Sequence, residues 1–162
     1  MNDGLGKKAE TKIKEWLDRP DLDWDFNRIP DQMTGQYGSK NICDFDLYIC
    51  PNKWYIESKA TYEDRFDFAM ISDFQFENMM KKSKLKGVSA LIIVLFATYQ
   101  RAFAIPIQEI ARLKAAGKKS LNIKKIDSWD IKYQQIQTTP SKKKLLDYIG
   151  ELKTSESIIS LQ

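Results

Sequence analysis

Histidine is missing from the whole 162-residue chain. Its absence excludes imidazole-based zinc sites, Ser-His-Asp and Cys-His catalysis, and nucleases that use histidine as base or metal ligand. Acid–base work falls instead to carboxylates, lysine, tyrosine or metal-bound water. Cysteine is scarce, and Cys43 and Cys50 are too few for a disulfide scaffold or a tetrahedral thiolate site. Both fall at a predicted strand, where small buried thiols are the expectation. Long hydrophobic runs are lacking too; the longest, Ala90 to Ala97, suits a buried strand and is too short for a bilayer span. No basic leader precedes an apolar stretch, so the sequence reads as cytoplasmic and free of membrane contact.

What is present describes a folded protein. Hydrophobic residues make up 43% and aromatics 12%, enough to bury a core in one domain spanning 1–162. Net charge is only +4, but it is unevenly spread. Lys81, Lys82, Lys84 and Lys86 cluster, as do Lys118 with Lys119, Lys124 with Lys125, and Lys142 to Lys144. Acids concentrate between Asp18 and Asp31 and between Glu57 and Glu77. Basic groups around an acidic centre suit a metal site framed by phosphate contacts.

The most informative stretch runs from Asp44 to Lys59. It reads as two strands joined at Pro51-Asn52, an acid starting the first and Glu-x-Lys closing the second. Side chains two apart on a strand share a face, so Glu57 lies with Lys59, and Asp44 with Asp46. Paired strands would gather these carboxylates and one ammonium at a single spot. Carboxylates bind a hard cation, and a nearby lysine stabilises charge developing on phosphate. Metal-dependent phosphodiester cleavage needs that combination, with Asp44 or Asp46 as the first ligand.

The remaining elements follow from periodicity and punctuation. Gly4 to Arg19 predicts a helix with Ala9, Ile13, Trp16 and Leu17 as its apolar stripe, Glu10 at the margin and Pro20 beyond its end. Asp23 to Ile29 predicts a short strand, and 30–43 a protruding loop. Ser72 caps a helix predicted to run through Lys86, with Gly87 as its stop. Val88 to Phe96 reads as a strand covered on both faces and Arg101 to Ile105 as another. Pro106 opens a helix through Ala116, ended by Gly117. Tyr62 to Met70 and 120–140 carry no clear pattern, and Lys142 to Lys153 predicts a terminal helix. The expectation is an α/β domain, a mixed central sheet flanked by helices.

This order resembles the PD-(D/E)xK (restriction-endonuclease-like) nuclease fold, and particular residues resemble the RecU-type Holliday junction resolvases. The likeness runs from about Gly6 to Ile123, leaving 121–162 as an extension without a match. It rests on Gly6-x-x-x-Glu10, then Asp44, Glu57, Lys59 and Thr61, then Gln75 with Met79. Gly87, the strand Ala90 to Phe96, and Lys118-Lys119-Ser120-Leu121 complete it. The resemblance implies Mg²⁺- or Mn²⁺-dependent cleavage of a four-way DNA junction. It assigns metal ligation to Asp44, Glu57 and Gln75, transition-state stabilisation to Lys59, and an accessory role to Glu10.

Three departures stand out. Cys43 replaces the family's frequent threonine before the first acid, Phe74 and Asn78 stand where histidines commonly flank the glutamine, and 30–43 is shorter than the family's stalk. A two-fold junction calls for a homodimer with two sites. Lys81, Lys82, Lys86, Arg101, Lys118 and Lys119 are the predicted phosphate contacts. The competing readings are another nuclease of the same fold, acting on flaps, single strands or duplex, and a cleavage-inactive DNA-binding or annealing protein.

Overall fold

Strand Val88–Phe96 (β5) is the axis of the fold, because both of its faces are apolar. Leu91, Ile93 and Leu95 point to one side, and Ala90, Ile92, Val94 and Phe96 to the other. A strand of this kind needs cover on both faces. The computed structural model, which describes residues 3–17, 23–30 and 40–136, supplies it. Helix Asp3–Leu17 (α1) lays Leu5, Ala9, Ile13 and Leu17 toward the sheet at helical spacing. Helices Asp73–Ser83 (α2) and Ile107–Ala115 (α3) cover the other face, burying Met79, Ile110 and Leu113.

Six strands form the sheet. In chain order the eight described strands, two of them outside this sheet, begin with Asp25–Arg28 (β1), Phe45–Ile49 (β2) and Asn52–Thr61 (β3). Arg65–Asp67 (β4) precedes β5, and Arg101–Pro106 (β6), Ser120–Asn122 (β7) and Gln134–Ile136 (β8) follow it. The main order is β1-β2-β3-β5-β6-β8, with β4 and β7 forming a separate antiparallel pair. Among the described strands only β3 and β5 run parallel, joined by the crossover that contains α2. The mixed α/β sheet flanked by helices is thus the architecture expected from the sequence.

Several boundaries moved. Helix α2 ends at Ser83 instead of Lys86, with Lys84 as its C-cap and a turn carrying the chain to Gly87. Cys43 is buried as expected, whereas Cys50 is exposed, because it lies in the turn beyond β2 and not on the strand. The stretch 62–70, unpatterned in sequence, holds β4 and the short 3₁₀ turn Phe68–Met70. Likewise 120–136 forms β7, a 3₁₀ segment and β8, the last bonded to β6 through Ala102↔Ile136. These pieces are too short for periodicity to register; aromatic packing of Trp129 and Tyr133 on Phe103 fixes them. The protruding loop predicted over 30–43 falls largely, at 31–39, outside the described residues, as do the helix predicted over 142–153 and the Trp16 side chain. No helix among the described residues is long and apolar enough to cross a membrane.

Gly87 joins α2 to the sheet. Its φ is +73°, its carbonyl accepts from Lys53 N at 2.8 Å, and a Cβ there would meet the Pro51 carbonyl oxygen at 3.3 Å. Gly117 has a similar φ of +80° with open space around it. Gly117→Ala therefore carries the left-handed backbone cost alone, about 1 kcal/mol, and Gly87→Ala adds a contact to that cost. Denaturant unfolding of the two variants should rank Gly87→Ala as the less stable; equal losses would contradict the contact.

Candidate active site

The site begins where the β2–β3 ladder stops. Its register pairs Phe45 with Ile56, and one further step brings Asp44 level with Glu57. Asp44 is not a strand residue, yet its backbone is fixed on both sides. Its N–H donates to Ile56 O at 3.1 Å, and its carbonyl accepts from Ile29 N at 2.8 Å. Its Oδ2 accepts from Ser58 N at 2.7 Å, so a side chain serves β3 where a backbone acceptor would otherwise lie.

Alternation along β3 sends Trp54 and Ile56 to the α1 face. Glu57 and Lys59 consequently face α2. Glu57 is 2% exposed and Lys59 16%, with Nζ–Oε1 at 2.6 Å. Gln75, in the first turn of α2, donates from Nε2 to the same Glu57 oxygen at 2.8 Å. Glu57 Oε2 is buried without a hydrogen-bond partner among the described residues. Burial first, and the Asp44 charge second, push the Glu57 carboxyl up to about 7, with Lys59 and Gln75 pulling the other way.

Gln75 has a second task. Its backbone N–H donates to Ser72 Oγ at 3.2 Å, and its Oε1 accepts from Ser72 N at 3.3 Å, a reciprocal cap on α2. Lys59 Nζ approaches the same Oε1 at 3.5 Å. The amide nitrogen, rather than the oxygen, therefore meets Glu57. In this arrangement Gln75 orients the acid.

The other candidate acids are engaged elsewhere. Asp46 accepts from Asn27 Nδ2 at 3.2 Å and pairs with Lys53 at 3.4 Å. Glu10 pairs with Arg28 of β1 at 2.6 Å. Sequence reasoning missed Arg28, Asn27 and Lys53, since cross-strand partners are set by a register that spacing does not encode. Burial, followed by the nearby Glu57 charge, pushes the Cys43 thiol up to about 12, and its Sγ donates to the Phe45 carbonyl at 3.2 Å.

The predicted phosphate contacts fall into separate regions. Lys118 and Lys119, with Lys114, line a groove of about 710 Å³ whose wall includes Ser72 and Asp73, beside the Gln75 end of α2. Lys81 and Lys82 lie at the opposite end of that helix, with Lys86 in the turn beyond. Lys82 Nζ sits 5.8 Å from the Tyr55 ring centroid. Arg101 lies over Phe103 and donates to Gln135 Oε1 at 2.7 Å, an arrangement that holds β8 against β6.

Chemically, the pair Asp44 and Glu57 suits a hard divalent cation. A buried carboxylate oxygen without a donor, beside a second carboxylate, is an arrangement that such a cation satisfies and a proton satisfies less fully. No three carboxylate, thiol or imidazole groups converge among the described residues. Two adjacent carboxylates are a donor set that a hard divalent cation can take while water and phosphate complete its shell.

Comparison with curated protein sequences gives no match. Among solved structures, Hjc of Archaeoglobus fulgidus, a Holliday junction resolvase from an archaeal hyperthermophile, is similar with 17% identity and a TM-score of 0.47. That likeness covers 64% of this chain and 78% of the other. The family model described as RecU, Recombination protein U, matches residues 27–154, starting later than the motifs at Gly6 and reaching well past Ile123. A match over that much of the sequence shows that the chain belongs to the RecU family.

Proposed function

We infer that the chain is a Holliday junction resolvase acting in recombination, and propose that it cleaves through a divalent cation held by Asp44 and Glu57. Family membership supports the substrate class. The observation that carries the chemistry is the buried, half-satisfied Glu57 carboxylate beside Asp44, Lys59 and Gln75. When bound, Mg²⁺ or Mn²⁺ lowers the pKa of a coordinated water and polarises the scissile phosphate.

The chain's own groups do the rest. Gln75 and Lys59 both hold Glu57 Oε1, which leaves Oε2 as the donor for a cation. Ser58 N fixes Asp44 Oδ2 and so holds that carboxylate near Glu57. Lys59 keeps a fixed ammonium where negative charge grows on the phosphate during in-line displacement. Lys114, Lys118 and Lys119 offer phosphate contacts along the neighbouring groove. Glu10, held by Arg28 on the α1 side of the sheet, stays in this reading as an accessory acid on the family resemblance alone. Symmetric incision requires two such sites related by a two-fold axis, hence a homodimer, and we take the enzyme to be a single cytoplasmic nuclease domain.

Labelled four-way junction, duplex, flap and single-stranded DNA, incubated with Mg²⁺ or with EDTA, test the proposal directly. Cleavage should favour the junction and vanish with EDTA. Glu57→Ala and Lys59→Ala should each lower the rate at least 100-fold, on the order of 3 kcal/mol of lost electrostatic stabilisation, while junction binding persists. Loss of binding together with cleavage would mean that these residues only support the fold.

Asp44 and Asp46 are separable by Mg²⁺ titration. Asp44→Asn should abolish cleavage or demand far more Mg²⁺, whereas Asp46→Asn should leave the requirement near that of the wild type. The reverse ranking would move the ligand to Asp46.

Stability supplies a readout independent of activity. The folded Glu57 pKa of about 7 exceeds the ordinary 4.5, so the unfolded chain releases its proton first. Stability therefore falls as pH rises through that window, by on the order of 3 kcal/mol, and stays low above it. Glu57→Gln should raise the melting temperature at pH 8 and leave it nearly unchanged at pH 4.5. Added Mg²⁺ should stabilise the wild type at pH 8 and not Glu57→Gln.

A further inference from the structure

Beyond Lys59, strand β3 runs two more residues and ends in a loop whose backbone is tied at every step. Glu63 N donates to Thr61 Oγ1 at 3.0 Å, and Thr98 Oγ1 donates to the Tyr62 carbonyl at 2.7 Å. Tyr99 Oη donates to Asp64 Oδ1, and Lys124 pairs with the same carboxylate at 2.6 Å. On this fixed loop the Tyr62 ring stands 56% exposed. No core packing accounts for so exposed an aromatic ring on so constrained a backbone.

Tyr62 does not stand on bare surface. It forms one wall of a groove of about 760 Å³, whose opposite wall is the side of α1 bearing Lys7, Lys8 and Lys12. Gln100 lies along the groove, and Glu15 is its one acid. Alternation along β3 places this groove on the α1 side of the sheet, across the strand end from Glu57 and Lys59. Tyr62 follows Lys59 by three residue steps, at most about 10 Å of extended chain. At 3.4 Å of rise per charge along one DNA strand, that interval is about three nucleotide steps.

A rigid exposed ring flanked by lysines is the combination that holds unpaired nucleotides. The ring accepts any base face, and the ammonium groups follow the phosphates. We propose that Tyr62 with Lys8 and Lys12 forms a strand clasp, which grips the nucleotide splayed at the branch point a few steps from the scissile phosphate. The inference rests on the resolvase reading and adds to it a site that prefers a distorted strand over regular duplex. Paired bases stay stacked on each other and do not offer a face to Tyr62.

Binding measured in EDTA, where no cleavage intervenes, tests the clasp. Tyr62→Ala should weaken junction affinity roughly tenfold while duplex affinity is unchanged, and Tyr62→Phe, which keeps the ring, should bind like the wild type. Lys8→Gln with Lys12→Gln should lower the slope of log affinity against log salt by roughly 2. In Mg²⁺, Tyr62→Ala should raise KM and leave kcat near the wild-type value. Unchanged junction affinity in Tyr62→Ala overturns the clasp, and so does an equal loss on duplex and junction. If those results appear while the wild type still cleaves junctions, only the clasp falls. A wild type that neither binds nor cleaves branched DNA removes the resolvase reading and the clasp with it.

Discussion

Everything in this molecule is arranged around one carboxylate that is buried before its charge is fully compensated. Glu57 stands on a central strand, between Asp44 at the ladder's end and Gln75 at a helix start, with a single lysine against one oxygen. Taking such a group out of water is costly, and the position persists only because neighbours on three elements fix it. The apolar two-sided β5 beside β3 provides the rigidity. Around that point the sheet forms the scaffold, and the chemistry is confined to the face that α2 covers.

The parallel pairing of β3 with β5 decides which way the site opens. Both strands deliver their C-terminal ends to the same edge, and the groups that meet DNA in this reading gather there: Lys59, the start of α2 and the groove of Lys118 and Lys119. Lys81 and Lys82 lie at the other end of α2 with Lys86 in the turn beyond, and Lys82, like Lys53, stands over the Tyr55 ring. The basic residues counted together in the sequence thus serve different regions of the surface. Arg101, buried partly under its own packing with Phe103 and Gln135, contributes to the sheet edge.

The sequence carried a good part of this. Residues 88–96 announced their strand by unbroken hydrophobicity, and Ser72 announced α2 because its cap chemistry is local. Alternation alone placed Glu57 and Lys59 on one face. The share that stayed hidden depends on contacts between distant segments. Nothing in the spacing says that Asn27 and Lys53 hold Asp46, that Arg28 holds Glu10, or that Cys50 turns outward. The segments β4, β7 and β8 have three residues each, too few for a pattern, and exist because a hydrophobic neighbour or a ladder accepts them.

One glutamine ties two jobs together. Gln75 closes the first turn of α2 with one end of its amide and steadies the Glu57 carboxylate with the other. Opening that turn would remove one of the two donors on Glu57 Oε1 and leave Lys59 as the other, with the sheet beneath unchanged. The aim of the acid thus depends on one helical turn, whereas its position depends on the sheet.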